Sequence, residues 1–290
     1  MPKDADELIA LLDLEAIDDD LFRGRQLPSA LPRVFGGQVA AQALVAGART
    51  VDPAYVVHSL HSYFLQPGDP GAPIIFDVEN LRDGRTFATR RVLGRQHGRP
   101  IYAQTLEFMR PEDGLDHQDP MPQVPGPDDS IDPWAGHRER QRDPAQRDVD
   151  VSEDEWGAVE LRYVGSSADD LLPPDDRHPG RQAFWLRVSG PLPDDPLTQV
   201  AAFTYLSDMT IMGAALAPHG LRMGAPGLQA ASLDHTIWFH RPFRADQWWL
   251  YHQVSPSASG GRGLIHGRVF TPDGTLVASV AQEALLRQRS

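Results

Sequence analysis

The stretch TQVAAFTYLSDMTIMGAAL, Thr198 to Leu216, decides how the chain must fold. It reads as a helix whose residues are apolar or small on nearly every side. A helix without a polar face has to be buried on most sides, as when a sheet curls around it. Asp195 and Pro196 just ahead give an N-cap followed by proline at the first helical position. Asp208 falls in the middle of the run. By helical spacing Ala201, Thr204, Tyr205, Ile211, Met212 and Ala215 share its side. A carboxylate on such a stripe is costly unless it is solvated or hydrogen-bonded. A raised pKa and a catalytic role are one reading; a satisfied core aspartate, or one at an exposed helix edge, is the other.

Working outward, the segments around this helix repeat those of the first half. GGQVAAQALVAGARTV, Gly36 to Val51, is also small and apolar and reads as a helix, and QVAA recurs at Gln38 and Gln199. Each helix is followed by four long strand-like runs. In the first half these are VHSLHSYFLQPGD, PIIFDVENLRDGRTF, ATRRVLGRQHGRPI and YAQTLEFMR; in the second they are ASLDHTIWFHRPF, QWWLYHQVSPSA, RGLIHGRVFTPDG and TLVASVAQEALLR. LEAIDDDLFRGRQ and QAFWLRVS would add one strand at the front of each half. The pattern is a duplicated unit, one helix and then an antiparallel meander. Residues 111–154, rich in proline and charge, divide a first unit at 1–110 from a second at 155–290. With few apolar residues to bury, this insert is a linker or surface crossing, and deleting most of Pro120 to Asp150 is expected to spare the folded core.

Two further polar positions stand out. On the last strand Leu276, Ala278, Val280, Gln282, Ala284 and Leu286 share a face, and only Gln282 is polar; a buried amide there must find partners. It is either a functional group or a structural amide bonded to backbone. Upstream, LQAASLDHTIWFHRPF, Leu228 to Phe243, holds a serine, an aspartate and two histidines. Read as one strand, it puts Ser232, Asp234, Thr236, Trp238 and His240 on one face and Leu233, His235, Ile237 and Phe239 on the other. Asp234 and His240 are then roughly 20 Å apart, so the run cannot be a self-contained triad or chelate.

Composition narrows the function classes. A chain of 290 residues, 41% hydrophobic, suffices for one large domain or two ordinary ones. There is no cysteine, hence no thiolate nucleophile or zinc–cysteine site. The net charge of −13 disfavours a nucleic-acid partner. Lys3 is the only lysine, so any local positive charge is arginine. No signal peptide and no membrane span are read, and a cytoplasmic protein is expected.

Together, FGGQVAAQAL, HSLHSYFLQPGD, LRDGRTFATRRV, SLDHTIWFHRPF and LVASVAQEALLR, in this order, resemble the acyl-CoA thioesterase II family, the double-hotdog thioesterases. The resemblance spans nearly the whole chain outside the insert. It implies an α+β double hotdog: two repeats, each a long helix wrapped by a curved antiparallel sheet. It also implies hydrolysis of acyl-CoA to free fatty acid and CoA, with medium- to long-chain substrates preferred, no metal or organic cofactor, and a homo-oligomer (dimer or tetramer). In that family an aspartate, a serine or threonine and a glutamine activate water. The matching residues are Asp208, Ser232 and Gln282. In the first half Gly47 matches Asp208 and Leu106 matches Gln282, so only the second unit carries the set. Asp234, His235 and His240 are expected to be structural.

Substrate contacts are expected from Gly36 and Gly37, as backbone donors at a helix start, and from His58 and Arg82. Arg85, Arg90, Arg91 and Arg262 are further candidates for the CoA phosphates. No Gly-x-Ser-x-Gly elbow supports a serine nucleophile. Two rivals are a hotdog enoyl-CoA hydratase, whose Gly-Asp-x-Asn-Pro-like segment is absent, and a non-catalytic acyl-CoA-binding protein on the same scaffold.

Overall fold

In the computed structural model, residues 1–135, 156–169, 171–173 and 175–288 are described. The first unit runs α1 (Ala5–Leu12), β1 (Glu15–Asp18), β2 (Leu21–Gly24), α2 (Gly36–Ala48), β3 (Val56–Phe64), β4 (Ile74–Asp83), β5 (Phe87–Gln96) and β6 (Arg99–Met109). The second runs β7 (Val159–Ser166), β8 (Gly180–Val188), α3 (Pro196–Ser207), α4 (Gly213–Leu216), β9 (Leu228–Ser232), β10 (Asp234–Phe239), β11 (Trp249–Ser259), β12 (Arg262–Phe270) and β13 (Leu276–Gln288).

All the strands join one continuous antiparallel sheet in the order β1-β2-β4-β5-β6-β3-β10-β13-β12-β11-β8-β7, with β9 also paired to β13. Matching strands occupy mirrored places about the β3–β10 pair, which is the seam between the units. At the seam Leu60 lies opposite Ile237 and Ser62 opposite His235. The duplicated meander is therefore a double hotdog.

The helices lie inside this sheet. Every residue of α2 from Gly37 to Gly47 is buried, as its lack of a polar face requires. Helices α2 and α3 pack directly on each other. Their approach is so close that a Cβ on Gly37 would sit 2.2 Å from the Tyr205 carbonyl oxygen, so only glycine fits. The N-terminal segment adds α1, capped by Asp4, whose side chain accepts from the Glu7 N–H. Its Leu8, Leu11 and Leu12 face the core.

Three sequence readings change. The helix expected to run to Leu216 stops at Ser207, with Asp208 as its C-cap and α4 following after a bend. The run from Leu228 to Phe243 is two strands, because Leu233 and Asp234 together oppose Glu283. Between the pairs Ser232–Ala284 and Thr236–Ala281, one strand takes four steps (232 to 236) and the other three (281 to 284). That extra residue is a β-bulge, and it reverses the alternation. Ser232 and His235 both face inward as a result, where strict alternation separates them. Asp234 completes the bulge by accepting from the Glu283 N–H at 2.7 Å.

The third change concerns the insert, whose residues 136–154 lie outside the described ones. Its first part crosses the outer face of the second unit. Asp116 pairs with Arg241 at 2.6 Å and Asp119 with Arg268 at 3.0 Å. Gln118 bridges the Gly274 carbonyl and the Leu276 N–H. Half-buried Met121 and Val124 cover a cluster of Val164, Ala183, Trp185, Leu250 and Phe270, and the Trp185 indole donates to the Pro125 carbonyl at 2.8 Å. The few apolar residues of the crossing sit where that face needs covering. Removing residues 120–132 should therefore destabilise the protein. The double change Met121→Ser with Val124→Ser should cost roughly 1–3 kcal/mol, read as a fall of several degrees in Tm. An unchanged melting curve would show that the crossing adds nothing to the fold.

Candidate active site

Asp208 stands where three elements meet. Its backbone closes the last turn of α3, donating its N–H to the Leu206 carbonyl. Its side chain is 5% exposed and meets β9, β13 and the start of α2. The Ser232 hydroxyl, the last residue before the bulge, donates to Asp208 Oδ1 at 3.2 Å. Gln282 Nε2 donates to Ser232 Oγ at 3.0 Å and also bonds the carboxylate. From the first unit, the Gly37 N–H bonds the same carboxylate. A Cβ on Gly36 would lie 2.6 Å from Asp208 Oδ2, so a bare glycine is needed for the turn to come this close. The three residues expected from the resemblance thus form one cluster, and the Gly36–Gly37 pair joins it by holding the aspartate.

Opposing effects act on this carboxylate. Burial raises its pKa, and the negative end of the α3 dipole acts in the same direction. Ser232, Gln282 and the Gly37 N–H at the positive end of α2 favour the charged form. Burial prevails, and the pKa lies above the ordinary aspartate value.

The bulge turns Ser232 to the inner face that His235 shares with Ile237, so it brings the site against a histidine that strict alternation keeps apart from Ser232. His235 is fully buried. Its Nδ1 lies 2.5 Å from Gln282 Oε1 and its Nε2 lies 2.8 Å from Ser207 Oγ. Burial lowers its pKa, so the ring is neutral near pH 7. It is a bonded interior histidine, as expected, but it touches the site. His240 instead bonds Ser279 Oγ at the surface.

Asp208 and Ser232 open into a cavity of about 420 Å³. Its walls come from both units and are largely apolar: Phe35, Val39, Phe64, Trp156, Met209 and Met212 among them. Arg33 is the one cationic side chain among the described residues of the lining; its guanidinium also donates to the Ala230 carbonyl at 2.7 Å.

The remaining sequence candidates do not line this cavity. His58 lies toward the far end of β3 from Phe64 and packs edge-on to Phe87 at 6.0 Å. Arg82 sits beside Gly84 at the outer end of β4, near Arg85. Arg90 is buried in bonds to Asp83 and Thr50, Arg91 faces Glu79 at 3.8 Å, and Arg262 pairs with Glu283. Strand periodicity places a residue on a face but does not say which end of the strand faces the site. Arg33 lies in the loop before α2, where no periodicity marks it.

The first unit has no counterpart of the cluster. A Cβ on Gly47 would lie 2.3 Å from a methyl carbon of Leu106, and Leu60 and Leu106 are fully buried opposite each other. Apolar packing fills the place that Asp208, Gln282 and His235 hold in the second unit.

Two family models match the chain: one described as acyl-CoA thioesterase N-terminal domain over residues 26–109, the other as acyl-CoA thioesterase over residues 173–285. The human protein named acyl-coenzyme A thioesterase 8 is 39% identical over 284 residues, spanning 96% of this chain and 88% of its own. Acyl-CoA thioesterase 2 of Haemophilus influenzae is 38% identical, with 97% and 96% covered. Among solved structures, the acyl-CoA thioesterase II TesB2 of Mycobacterium marinum superposes with a TM-score of 0.81 at 44% identity, covering 97% of this chain and 98% of that one. Matched in both halves and along almost its whole length, the chain belongs to the acyl-CoA thioesterase II family.

Proposed function

We propose that this protein hydrolyses medium- to long-chain acyl-CoA to free fatty acid and CoA, using a water held by Asp208, Ser232 and Gln282. One observation carries the reading: a buried carboxylate, bonded by a hydroxyl and an amide, faces into an apolar cavity. The cavity wall suits an alkyl chain, and its flexible methionines can follow chains of different shape. Arg33 is the cation nearest to hand for the anionic end of the substrate.

In this reading the water lies between Asp208 and the thioester carbonyl carbon. Asp208 takes a proton as the water oxygen attacks. Ser232 and Gln282 orient the water and hold the carboxylate. The Gly37 N–H holds Asp208 and is not a substrate donor as the sequence suggested; Gly36, which lines the cavity, is left to offer its backbone N–H to the developing oxyanion. Collapse of the tetrahedral intermediate breaks the carbon–sulfur bond, and the proton on Asp208 passes to the departing thiolate. No acyl-enzyme is formed. Asp234 belongs to the bulge and His240 to the surface, outside these steps.

Release of free CoA across a panel of acyl chain lengths tests the substrate. Each buried methylene is worth about 0.8 kcal/mol, so kcat/KM should rise from acetyl-CoA toward decanoyl-CoA. A flat or falling series would reject the chain-length preference.

Asp208→Asn tests the base. Loss of general-base assistance should lower kcat by about 10²–10⁴-fold, with KM changed little. The raised pKa adds a pH signature. The active form is the carboxylate, so wild-type kcat/KM should fall as pH drops through that raised value. Stability runs the other way. The folded state holds the Asp208 proton more tightly than the unfolded chain does. Folding therefore loses stability as pH rises from the unfolded pKa through the folded one. This pH-dependent loss of stability should be absent in Asp208→Asn, whose side chain does not titrate, as thermal melts across pH would show. Near-full activity in this variant would place the base elsewhere.

A further inference from the structure

The steps above give His235 no part, yet the structure holds it more firmly than packing requires. Its ring is bonded at both nitrogens, and its carbonyl accepts from the Ser62 hydroxyl at 2.6 Å. Ser62 is in turn bonded by Tyr102 from the first unit. The matching place in the first unit holds Leu60 against Leu106, both fully buried. The fold itself needs no polar group there.

What the site does need is a fixed direction for the Gln282 amide. A side-chain amide has a donor end and an acceptor end of nearly the same shape. With its NH₂ toward Ser232 and Asp208, it donates to both, and the Ser232 hydrogen remains on the carboxylate. Turned over, Oε1 would take the Ser232 hydrogen and set an acceptor against a buried carboxylate, which is strongly unfavourable.

We propose that His235 is a positioning residue. As the neutral tautomer carrying its hydrogen on Nδ1, it donates to Gln282 Oε1 and locks the amide with its NH₂ toward Ser232 and Asp208. Ser207 fixes the tautomer by donating its hydroxyl hydrogen to Nε2, in preference to the Thr204 carbonyl 2.9 Å away. The result is one directed chain, Ser207 to His235 to Gln282 to Ser232 to Asp208. The inference rests on the assignment of Asp208, Ser232 and Gln282 as the site.

The test has a spectroscopic arm and a kinetic arm. In full-length protein labelled with ¹⁵N-histidine, the His235 resonances are assigned by their loss in His235→Asn. The Nδ1–H tautomer is the expected result; an Nε2–H tautomer, with Ser207 donating to Thr204, overturns the proposal. In the kinetic arm, His235→Leu borrows the side chain that the first unit carries at this place. It should lower kcat about 10–100-fold with KM within about threefold, since a misdirected amide disturbs the positioned water and not the ligand. His235→Asn restores an N–H near the place of Nδ1 and should recover a large part of that loss. Wild-type kcat in folded His235→Leu, or no recovery in His235→Asn, would also overturn it. Asp208→Asn is assayed alongside: if it is impaired while His235→Leu is not, this inference alone fails. If neither is impaired, the site assignment fails with it. Should His235→Leu not fold, the wild-type tautomer decides.

Discussion

The antiparallel pairing of β3 with β10 is the constraint on which the rest of the structure depends. It turns two helix-plus-meander units into one sheet and sets Leu60 opposite Ile237. That register places the end of β3, with Phe64, beside Leu233, whose carbonyl accepts the Phe64 N–H at 3.0 Å. It also lets α2 and α3 meet inside, with Gly37 against the Tyr205 carbonyl. Only then does the positive end of α2 reach the carboxylate at the end of α3. A slip of one residue at the seam would turn either Leu60 or Ile237 to the outer face and part the two helix ends.

Duplication supplies two equivalent places, and the chain treats them oppositely. The first holds Gly47, Leu60 and Leu106, with no polar side chain in the three matching positions. The second holds Asp208, His235 and Gln282, each buried and each bonded. Buried polar groups are unfavourable unless every member finds a partner. The second place meets that demand with a chain of side chains and with a donor lent by the first unit.

Much of this was legible in the sequence. The QVAA echo and an apolar helix with no polar face implied a duplicated unit with buried helices. Asp208 was the single charged residue, and Gln282 the single polar one, on largely apolar stripes. Ser232 was placed by family resemblance alone, since nothing in strand alternation marks it. The end of α3 was hidden because the bend after Ser207 is lined by Met209, Ile211 and Met212, which continue the apolar pattern. The bulge was hidden because it exists only in the pairing of one strand with another. Ser232 was therefore assigned to the wrong face, whereas His235 was read correctly as an interior residue on the face of Ile237. The crossing looked dispensable by composition; Met121 and Val124 matter through position, over a face that composition does not reveal.

The Gly37 N–H on Asp208 has a consequence for how such chains can diversify. The two halves look like modules, but they are not exchangeable parts. A first half transplanted from another duplicated chain would arrive with its own approach angle for the Gly-Gly turn. It would reset the charge balance of a carboxylate it does not contain, without altering one residue of the half that does. Recombination at the junction is in this sense a change to the site, and the two halves can vary only as a pair.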